Sequence, residues 1–141
     1  MTTKRNKRCV NLDWLEVTAL EPIEQPHDAD YFRACGIVVI ERDYGTRVWG
    51  QMFTLEGDDH LPFIEVRRAP KSDIIAPNIV HLRLVNRACY FDDAAKLMGE
   101  FMITHSYEFH HINRVDICMD FERFDYGDKP CDFMRRFMEG K

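Results

Sequence analysis

Four β-rich runs follow one another in the middle of the chain, and they constrain its fold more than any other feature. They cover residues 37–42, 47–55, 63–68 and 78–85. The segment Asp43-Tyr44-Gly45-Thr46 separates the first two runs and is typical of a hairpin turn. In the fourth run, His81 and Arg83 alternate with aliphatic residues, which is the period of a strand with one buried face. We therefore expect the four runs to form one antiparallel sheet.

Two segments carry helical signals. From Asp92 onward, apolar residues recur at helical spacing, and they are Ala95, Leu97, Met98, Phe101 and Met102. Asp92 or Asp93 is expected to cap this helix. Asp28 or Asp30 is expected to cap a shorter helix that ends at Gly36, because glycine readily takes the left-handed conformation found at helix ends.

The remaining segments complete the predicted order of elements. Strands are expected at residues 10–20 and 112–121, where branched and aromatic residues are frequent. Pro130 is suited to begin a last helix, which would end at Gly140. The resulting order, β-α-ββββ-α-β-α, predicts an α+β fold in which a largely antiparallel sheet carries helices packed on one face.

Composition limits the class of protein. A length of 141 residues suits a single domain, and a hydrophobic content of 45% excludes a disordered chain. No segment approaches the roughly 20 apolar residues that cross a bilayer. We therefore expect a cytoplasmic protein without membrane partners. The five cysteines show no C-x-x-C spacing, which favours free thiols over a disulfide framework or a zinc site.

Charge is unevenly distributed along the chain, whose net charge is -5. Residues 1–8 form a basic segment, which we expect to be a flexible arm, and residues 116–128 are rich in acid. A basic arm and an acidic pocket suit an enzyme that grips phosphates and binds a divalent metal, although a solubilising tail explains the arm equally well. Because the chain ends directly after a predicted apolar helix, we expect it to be the N-terminal part of a longer protein.

The most informative stretch runs from Arg114 to Glu122. On a strand, the acids Asp116, Asp120 and Glu122 share one face. The other face, which includes Val115 and Ile117, is apolar and is expected to lie in the core. Clustered carboxylates repel one another unless a cation or arginine side chains neutralise them. We therefore expect a central strand on which Asp116 and Asp120 share a divalent cation, Mg²⁺ or Mn²⁺. The alternative is a solvated strand face whose acids are neutralised by Arg114 and Arg123.

A second line of polar residues lies on two of the β-rich runs. Glu65 shares a face with Arg67, and His81 shares a face with Arg83. Neighbouring strands would bring a further metal ligand, a histidine and phosphate-binding guanidinium groups towards the acids. Exposure to solvent is the alternative for these four residues. His110 and Asp116 are an even number of residues apart, so on a strand they share one face. His110 is therefore the histidine of the His110-His111 pair that would face the acids.

Several of these stretches resemble the replication initiation factor family, the initiators of rolling-circle plasmids and related conjugative elements. Arg114-Val-Asp-Ile-Cys-Met-Asp-Phe is similar to its R-[LV]-D-[IL]-x-x-D-[FY] strand. Members of Bacteroides-type mobile elements also show stretches like Asn11-Leu-Asp-Trp-Leu-Glu-Val, Phe63-Ile-Glu-Val-Arg-Arg-Ala-Pro-Lys-Ser, His81-Leu-Arg-Leu-Val-Asn-Arg and Asp120-Phe-Glu-Arg-Phe-Asp-Tyr-Gly-Asp. The order and spacing of these stretches carry the resemblance, which covers nearly the whole chain.

The resemblance implies a protein that nicks one strand of plasmid or mobile-element DNA. In such an initiator a metal polarises the scissile phosphate and a tyrosine attacks it. Asp116 and Asp120 would take the acidic positions, with Glu65 and Glu122 as further ligands. Family members continue beyond this length, and their tyrosine-bearing segment has no match here. Tyr126, in the Asp125-Tyr-Gly-Asp turn, is the candidate nucleophile within the chain.

Three interpretations stay open at this point. The first is an enzyme, or its metal-binding part, acting on single-stranded or cruciform origin DNA. The second is a non-catalytic module that binds DNA or pairs with itself as a homodimer. Its candidate DNA-binding residues are Arg67, Arg68, Lys71, His81, Arg83 and Arg87. The third is a structural domain whose acid strand has no function.

Overall fold

A computed structural model describes residues 8–42, 46–57, 63–89, 93–121, 135 and 138–140, with the backbone alone at residues 8–11, 86–87 and 119–121. Its contacts divide the chain into two compact units. One unit spans residues 12–116, and the other combines residues 1–11 with residues 117–141. The description below concerns the first unit unless stated otherwise, because most of the described side chains belong to it.

The chain has an α+β fold built on a six-stranded antiparallel sheet. The strands are β1 (Arg8–Leu20), β2 (Val39–Glu41), β3 (Trp49–Leu55), β4 (Ile64–Pro70), β5 (Ile79–Leu84) and β6 (Glu108–Phe121). The helices are α1 (Ala29–Ala34), α2 (Asn86–Cys89) and α3 (Ala94–Thr104). In the sheet the strands follow the order β2-β3-β4-β5-β1-β6. The six predicted strands and both predicted helices of the described part are confirmed, whereas the short helix α2 was not predicted.

The hydrophobic core lies between one face of the sheet and helices α1 and α3. Phe32 of α1 and Phe101 of α3 stack with their ring centroids 5.9 Å apart. The sheet contributes alternate residues of β1, β3, β4 and β5, which are Leu15, Val17, Ala19, Phe53, Leu55, Ile64, Val66, Val80, Leu82 and Leu84. Burial of each large apolar side chain stabilises the fold by about 1.5–3 kcal/mol. The expectation of helices packed on one face is confirmed for these two helices.

The register of the central strands places their polar residues on the opposite face. Glu65 of β4 lies opposite Arg83 of β5, and Arg67 lies opposite His81. Arg83 in turn lies opposite Glu16 of β1. Because successive side chains of a strand point to opposite faces, these residues share the side that the core does not use. We call this side of the sheet the polar face.

The two helix starts differ in how they are capped. Asp28 accepts a hydrogen bond from the Tyr31 amide (2.9 Å) and caps α1, as predicted, and Gly36 beyond the helix has a φ of +82°. Asp93 stands at the start of α3 in a left-handed conformation, with a φ of 59°, and its side chain makes no cap hydrogen bond. Asp93 therefore occupies the N-cap position of α3, one of the two predicted positions, but without a hydrogen bond from its side chain, and Asp92 lies outside the described residues.

Strand β6 differs from its prediction in position and burial. It stands at the end of the sheet order, beside β1, and not at the centre. Val115 and Ile117, expected in the core, are 48% and 68% exposed. The buried core cluster of the described residues contains no side chain from β6. Alternation predicts that a strand has two different faces, but the core forms only where helices cover one of them.

Several predictions fall outside the described residues. These are the turn at residues 43–45, the arm at residues 1–7, most of the last helix, and Glu122, Arg123 and Tyr126. Arg8, expected in the arm, is the first residue of β1. Arg135 and Met138 are helical, in agreement with a last helix in that region. None of the helices in the described ranges is long and apolar enough to cross a membrane.

Candidate functional site

Glu65 occupies the middle of the polar face and is buried, with 2% of its surface exposed. Its Oε1 accepts a hydrogen bond from Arg67 Nε (2.8 Å), and its Oε2 accepts one from Arg83 Nη2 (2.9 Å). Arg42, which directly follows β2, places Nη2 4.0 Å from the same Oε2. A buried carboxylate needs such counter-charges, because burial disfavours an unpaired charge. Three guanidinium groups surround one carboxylate, so this part of the face carries excess positive charge.

Trp14 of β1 joins this cluster to the neighbouring strand. The Arg83 guanidinium carbon lies 4.7 Å from the centroid of the Trp14 ring, and that of Arg114 lies 4.4 Å from it. Both distances are typical of cation–π contacts. Because β1 stands between β5 and β6 in the sheet, Trp14 is flanked by one arginine from each of its neighbours. The ring therefore links the guanidinium groups of β5 and β6 across β1 into one polar layer.

Asp116 pairs with Arg114 on the same strand. Arg114 Nη2 donates to Asp116 Oδ2 (2.6 Å), and its Nε lies 3.1 Å from the same oxygen. The hydrogen bonds from Arg114 lower the pKa of the Asp116 carboxyl, and they raise the pKa of Arg114. This pairing of Arg114 agrees with the alternative interpretation of the acid strand, in which one face is solvated and arginines neutralise its acids. Asp116 therefore lies beside the polar layer with its charge already compensated.

His81 lies between an acid and an aromatic ring. Its Nε2 is 3.4 Å from Glu16 Oε2, and its ring is nearly parallel to that of Trp49, with an angle of 11° and centroids 6.3 Å apart. Burial lowers the pKa of His81, and the nearby Glu16 partly opposes this effect. His81 is therefore neutral at pH 7 and contributes a polar, uncharged ring to the face.

Trp49 contacts His81 beside a local distortion of the β3–β4 pair. Gln51, two residues further on, contacts Arg68 on the side of the sheet that holds the core. Ala69, on the neighbouring strand, has a left-handed φ of 55°. At Gly50 a Cβ atom would lie 2.8 Å from the Ala69 carbonyl oxygen, so the close approach of the two strands requires glycine. This local distortion places a second tryptophan on the polar face.

The structure brings together four of the predicted site residues and separates a fifth. Glu65, Arg67, His81 and Arg83 share the polar face. Arg68 lies on the opposite side, where its Nη2 and Nε donate to the buried Glu21 at 2.8 and 3.3 Å. Arg68 is therefore part of a buried ion pair and not of the polar face.

The other predicted residues are placed as follows. Lys71 is exposed beyond β4, and His110 is exposed on β6. Asp120 lies on β6, but its side chain, like that of Arg87 in α2, is outside the described atoms. Sequence reasoning missed Trp14, Trp49 and Arg42 as members of the face. The position of Trp14 could have been predicted, because Trp14 and Glu16 are two residues apart on a strand and therefore share one face.

A metal site was also predicted, and the described residues supply few ligands for it. Among them, no group of three or more His, Cys, Asp or Glu side chains is arranged to hold a metal ion. Glu65 and Asp116 both have their carboxylates engaged by guanidinium groups. A site for Mg²⁺ or Mn²⁺ at Asp116, Asp120 and Glu122 therefore stays a prediction.

A second polar cluster lies on the helix-covered side, and we call it the buried histidine cluster. His27 Nε2 and the His105 carbonyl oxygen are hydrogen-bonded at 2.6 Å, and the Tyr31 hydroxyl is 2.9 Å from His105 Nδ1. The His27 and Tyr31 rings stack with centroids 3.8 Å apart. Burial lowers the pKa of His105 and raises the pKa of Tyr107, whose ring packs against His27. His27 Nδ1 and the Tyr107 hydroxyl are buried without a hydrogen-bond partner among the described residues.

Comparison with known proteins gives no relative for this chain: no family model, no curated protein and no solved structure matches it.

Proposed function

We propose that this chain is the DNA-binding part of a rolling-circle replication initiator, and that a single DNA strand binds across its polar face. The single observation that carries this proposal is the row of arginines on that face. Arg42, Arg67, Arg83 and Arg114 follow the order of the strands from β2 to β6. The resemblance of the acid strand and its neighbours to replication initiation factors supplies the biological role.

The dimensions of the face suit a nucleic-acid strand. Neighbouring strands of a sheet lie about 4.8 Å apart, so the distance from β2 to β6 is roughly 24 Å. A row of guanidinium groups over that distance can contact more than one phosphate. Arginine binds phosphate oxygens through paired N–H donors, which favours it for this role.

The aromatic content of the face favours a single strand over a duplex. Proteins that bind single strands combine a positively charged track with rings or guanidinium planes on which bases stack. Trp49 and the Arg114 guanidinium provide such planar groups. The net charge of -5 shows that the positive track is local and not a property of the whole chain.

The nicking reaction of the family is a further part of the proposal. It would need the acids Asp116, Asp120 and Glu122 to hold Mg²⁺ or Mn²⁺, and a tyrosine aligned with the scissile phosphate. We propose that this chain binds DNA without forming a covalent adduct, because Tyr126 is its only candidate nucleophile and stands in no recognised nucleophile motif. Pairing of two copies also stays a prediction.

The proposed binding is tested by fluorescence anisotropy with a labelled single-stranded oligonucleotide. The wild-type chain is expected to bind it, and Arg114→Gln is expected to weaken binding several-fold and to reduce the salt dependence. Arg33→Gln is the matched control, because Arg33 is an exposed arginine of α1 that also pairs with carboxylates. Equal losses in both variants, or no binding by the wild type, would contradict the proposal.

The absence of a covalent adduct is tested on a denaturing gel with a labelled origin oligonucleotide and Mn²⁺. We expect no shifted band. A protease-sensitive band that disappears in Tyr126→Phe would instead assign the nucleophile to this chain.

A further inference from the structure

We infer that Glu65 is a positioning residue and not a metal ligand: it holds Arg42, Arg67 and Arg83 as a subsite for one phosphate group. We call this group of four residues the arginine subsite. The inference rests on the proposed function in so far as the phosphate belongs to a DNA strand. It goes beyond that function because it assigns a role to the buried Glu65 and names the chemical group that the arginines bind.

The first argument is the balance of charge. One guanidinium at hydrogen-bonding distance would be enough to compensate the Glu65 carboxylate. Arg67 and Arg83 both reach it, at 2.8 and 2.9 Å, and Arg42 stands 4.0 Å away. Three guanidinium groups held so close together repel one another, and the subsite carries an excess of two positive charges. Glu65 offsets only part of the repulsion among the three guanidinium groups, and an anion bound over them offsets the rest.

The second argument is the direction of the donors. Arg67 donates to Glu65 through its Nε, so this hydrogen bond does not use its two terminal nitrogens. Arg83 uses Nη2, and its Nε is buried without an acceptor in the described part of the chain. Buried donors in proteins normally have an acceptor. The arginine subsite therefore has donors in excess of the acceptors that the described residues provide.

The third argument is access. Glu65 is almost fully buried beneath the arginines, whereas the Arg42 side chain is 45% exposed. A ligand arriving from solvent meets guanidinium groups before it meets the carboxylate. A metal cation would be repelled by them, and a phosphate would be attracted. Phosphate matches the arginine fork with paired oxygens, and either a DNA phosphodiester or free phosphate has this chemistry.

The experiment uses the full chain labelled with ¹⁵N and follows the arginine Nε–H signals by NMR. Two probes are titrated separately, inorganic phosphate and a single-stranded oligonucleotide. The oligonucleotide is expected to shift the Nε–H signals of Arg67 and Arg83 and to leave that of Arg33 in place. Binding of the oligonucleotide without any change at Arg67 and Arg83 would overturn the inference and leave the proposed function standing. If inorganic phosphate shifts these signals and the oligonucleotide does not, the subsite is supported and the proposed function is overturned.

The role of Glu65 is tested by Glu65→Gln, which removes a negative charge and keeps the shape. If Glu65 were only a negative neighbour of DNA, this change would tighten binding. If it positions the arginines, the change weakens binding several-fold and moves the Arg67 Nε–H signal, and Glu65→Asp partly restores both. Equal or tighter binding by Glu65→Gln would overturn the inference.

A surface variant keeps the test decisive if Glu65→Gln fails to fold. Arg42→Gln changes the most exposed arginine of the subsite, and Arg33→Gln is its control because the Arg33 side chain is also 45% exposed. Arg42→Gln is expected to weaken oligonucleotide binding several-fold and to reduce the slope of log K against log salt by about 0.7, the value for one phosphate contact on a single strand. A slope equal to that of the control would overturn the inference.

Discussion

The polar face and the buried histidine cluster both place polar side chains out of water, but they do so in opposite ways. In the buried histidine cluster, His27 and Tyr31 form hydrogen bonds to His105, and Phe32 and Phe101 pack around them. On the polar face, ionised groups are held together with guanidinium groups in excess, and Arg42 and Arg114 remain open to solvent. The comparison indicates that the first region stabilises the fold, whereas the second has charge available for a ligand.

The largest expected effect separates the two regions by stability. Phe32→Ala removes a fully buried ring that contacts His27 and His105, and it is expected to lower the free energy of unfolding by about 3–5 kcal/mol. Arg114→Ala on the polar face is expected to cost much less stability, because its ion pair with Asp116 is solvent-exposed. Urea denaturation of both variants measures the difference. Similar losses would show that the polar face is as structural as the cluster.

Two adjacent arginines sharpen the comparison. Arg68→Gln leaves the buried Glu21 without its cation and is expected to cost about 3 kcal/mol of stability, with DNA affinity unchanged where the chain is folded. Arg67→Gln is expected to cost about 1 kcal/mol, because Glu65 keeps Arg83, and to weaken DNA binding several-fold. Denaturation and anisotropy together measure both effects. A loss of DNA affinity in Arg68→Gln equal to that in Arg67→Gln would remove the distinction between the two sides of the sheet.

The sequence predicted the polar face in part. Period two placed Glu65, Arg67, His81 and Arg83 on common faces, and the register of β4 and β5 brings those faces together. The same period could not show that β6 stands at the end of the sheet, because alternation carries no information on strand order. It also could not place Trp49, whose side depends on the left-handed Ala69 and the close approach at Gly50. The local sequence pattern therefore predicted which residues share a face of a strand, whereas long-range packing determines which strands are neighbours in the sheet.

A smaller effect is expected from pH. Burial, reinforced by His27, lowers the pKa of His105 below its ordinary value in the folded state. The unfolded chain, in which histidine has a pKa of about 6.5, therefore binds the proton better. Stability should be complete above about pH 6.5 and should decrease as the pH falls towards the folded-state pKa.

Urea midpoints between pH 7.5 and pH 5 measure this dependence. His105→Gln is expected to reduce it. His81→Gln should also reduce it, because burial lowers the pKa of His81 on the polar face as well. A pH dependence that neither substitution changes would show that other groups control it.

The smallest expected effect concerns the divalent metal. Mn²⁺ should raise the melting temperature by a few degrees, because it would bind only the folded arrangement of acids. Asp116→Asn combined with Asp120→Asn should abolish the rise. Glu65→Gln should retain it, because the Glu65 carboxylate is held by arginines. If the double variant gains as much from Mn²⁺ as the wild type, these aspartates are not ligands.

The intrinsic fluorescence of the chain tests the central claim most directly. The sequence contains two tryptophans, and both Trp14 and Trp49 contact residues of the polar face. An unlabelled single-stranded oligonucleotide that binds across this face should quench the fluorescence, with the same Kd as that measured by anisotropy, and Trp14→Phe and Trp49→Phe should each remove part of the signal. Tight binding by anisotropy with no change in tryptophan fluorescence would contradict the account, because the DNA would then bind elsewhere on the molecule.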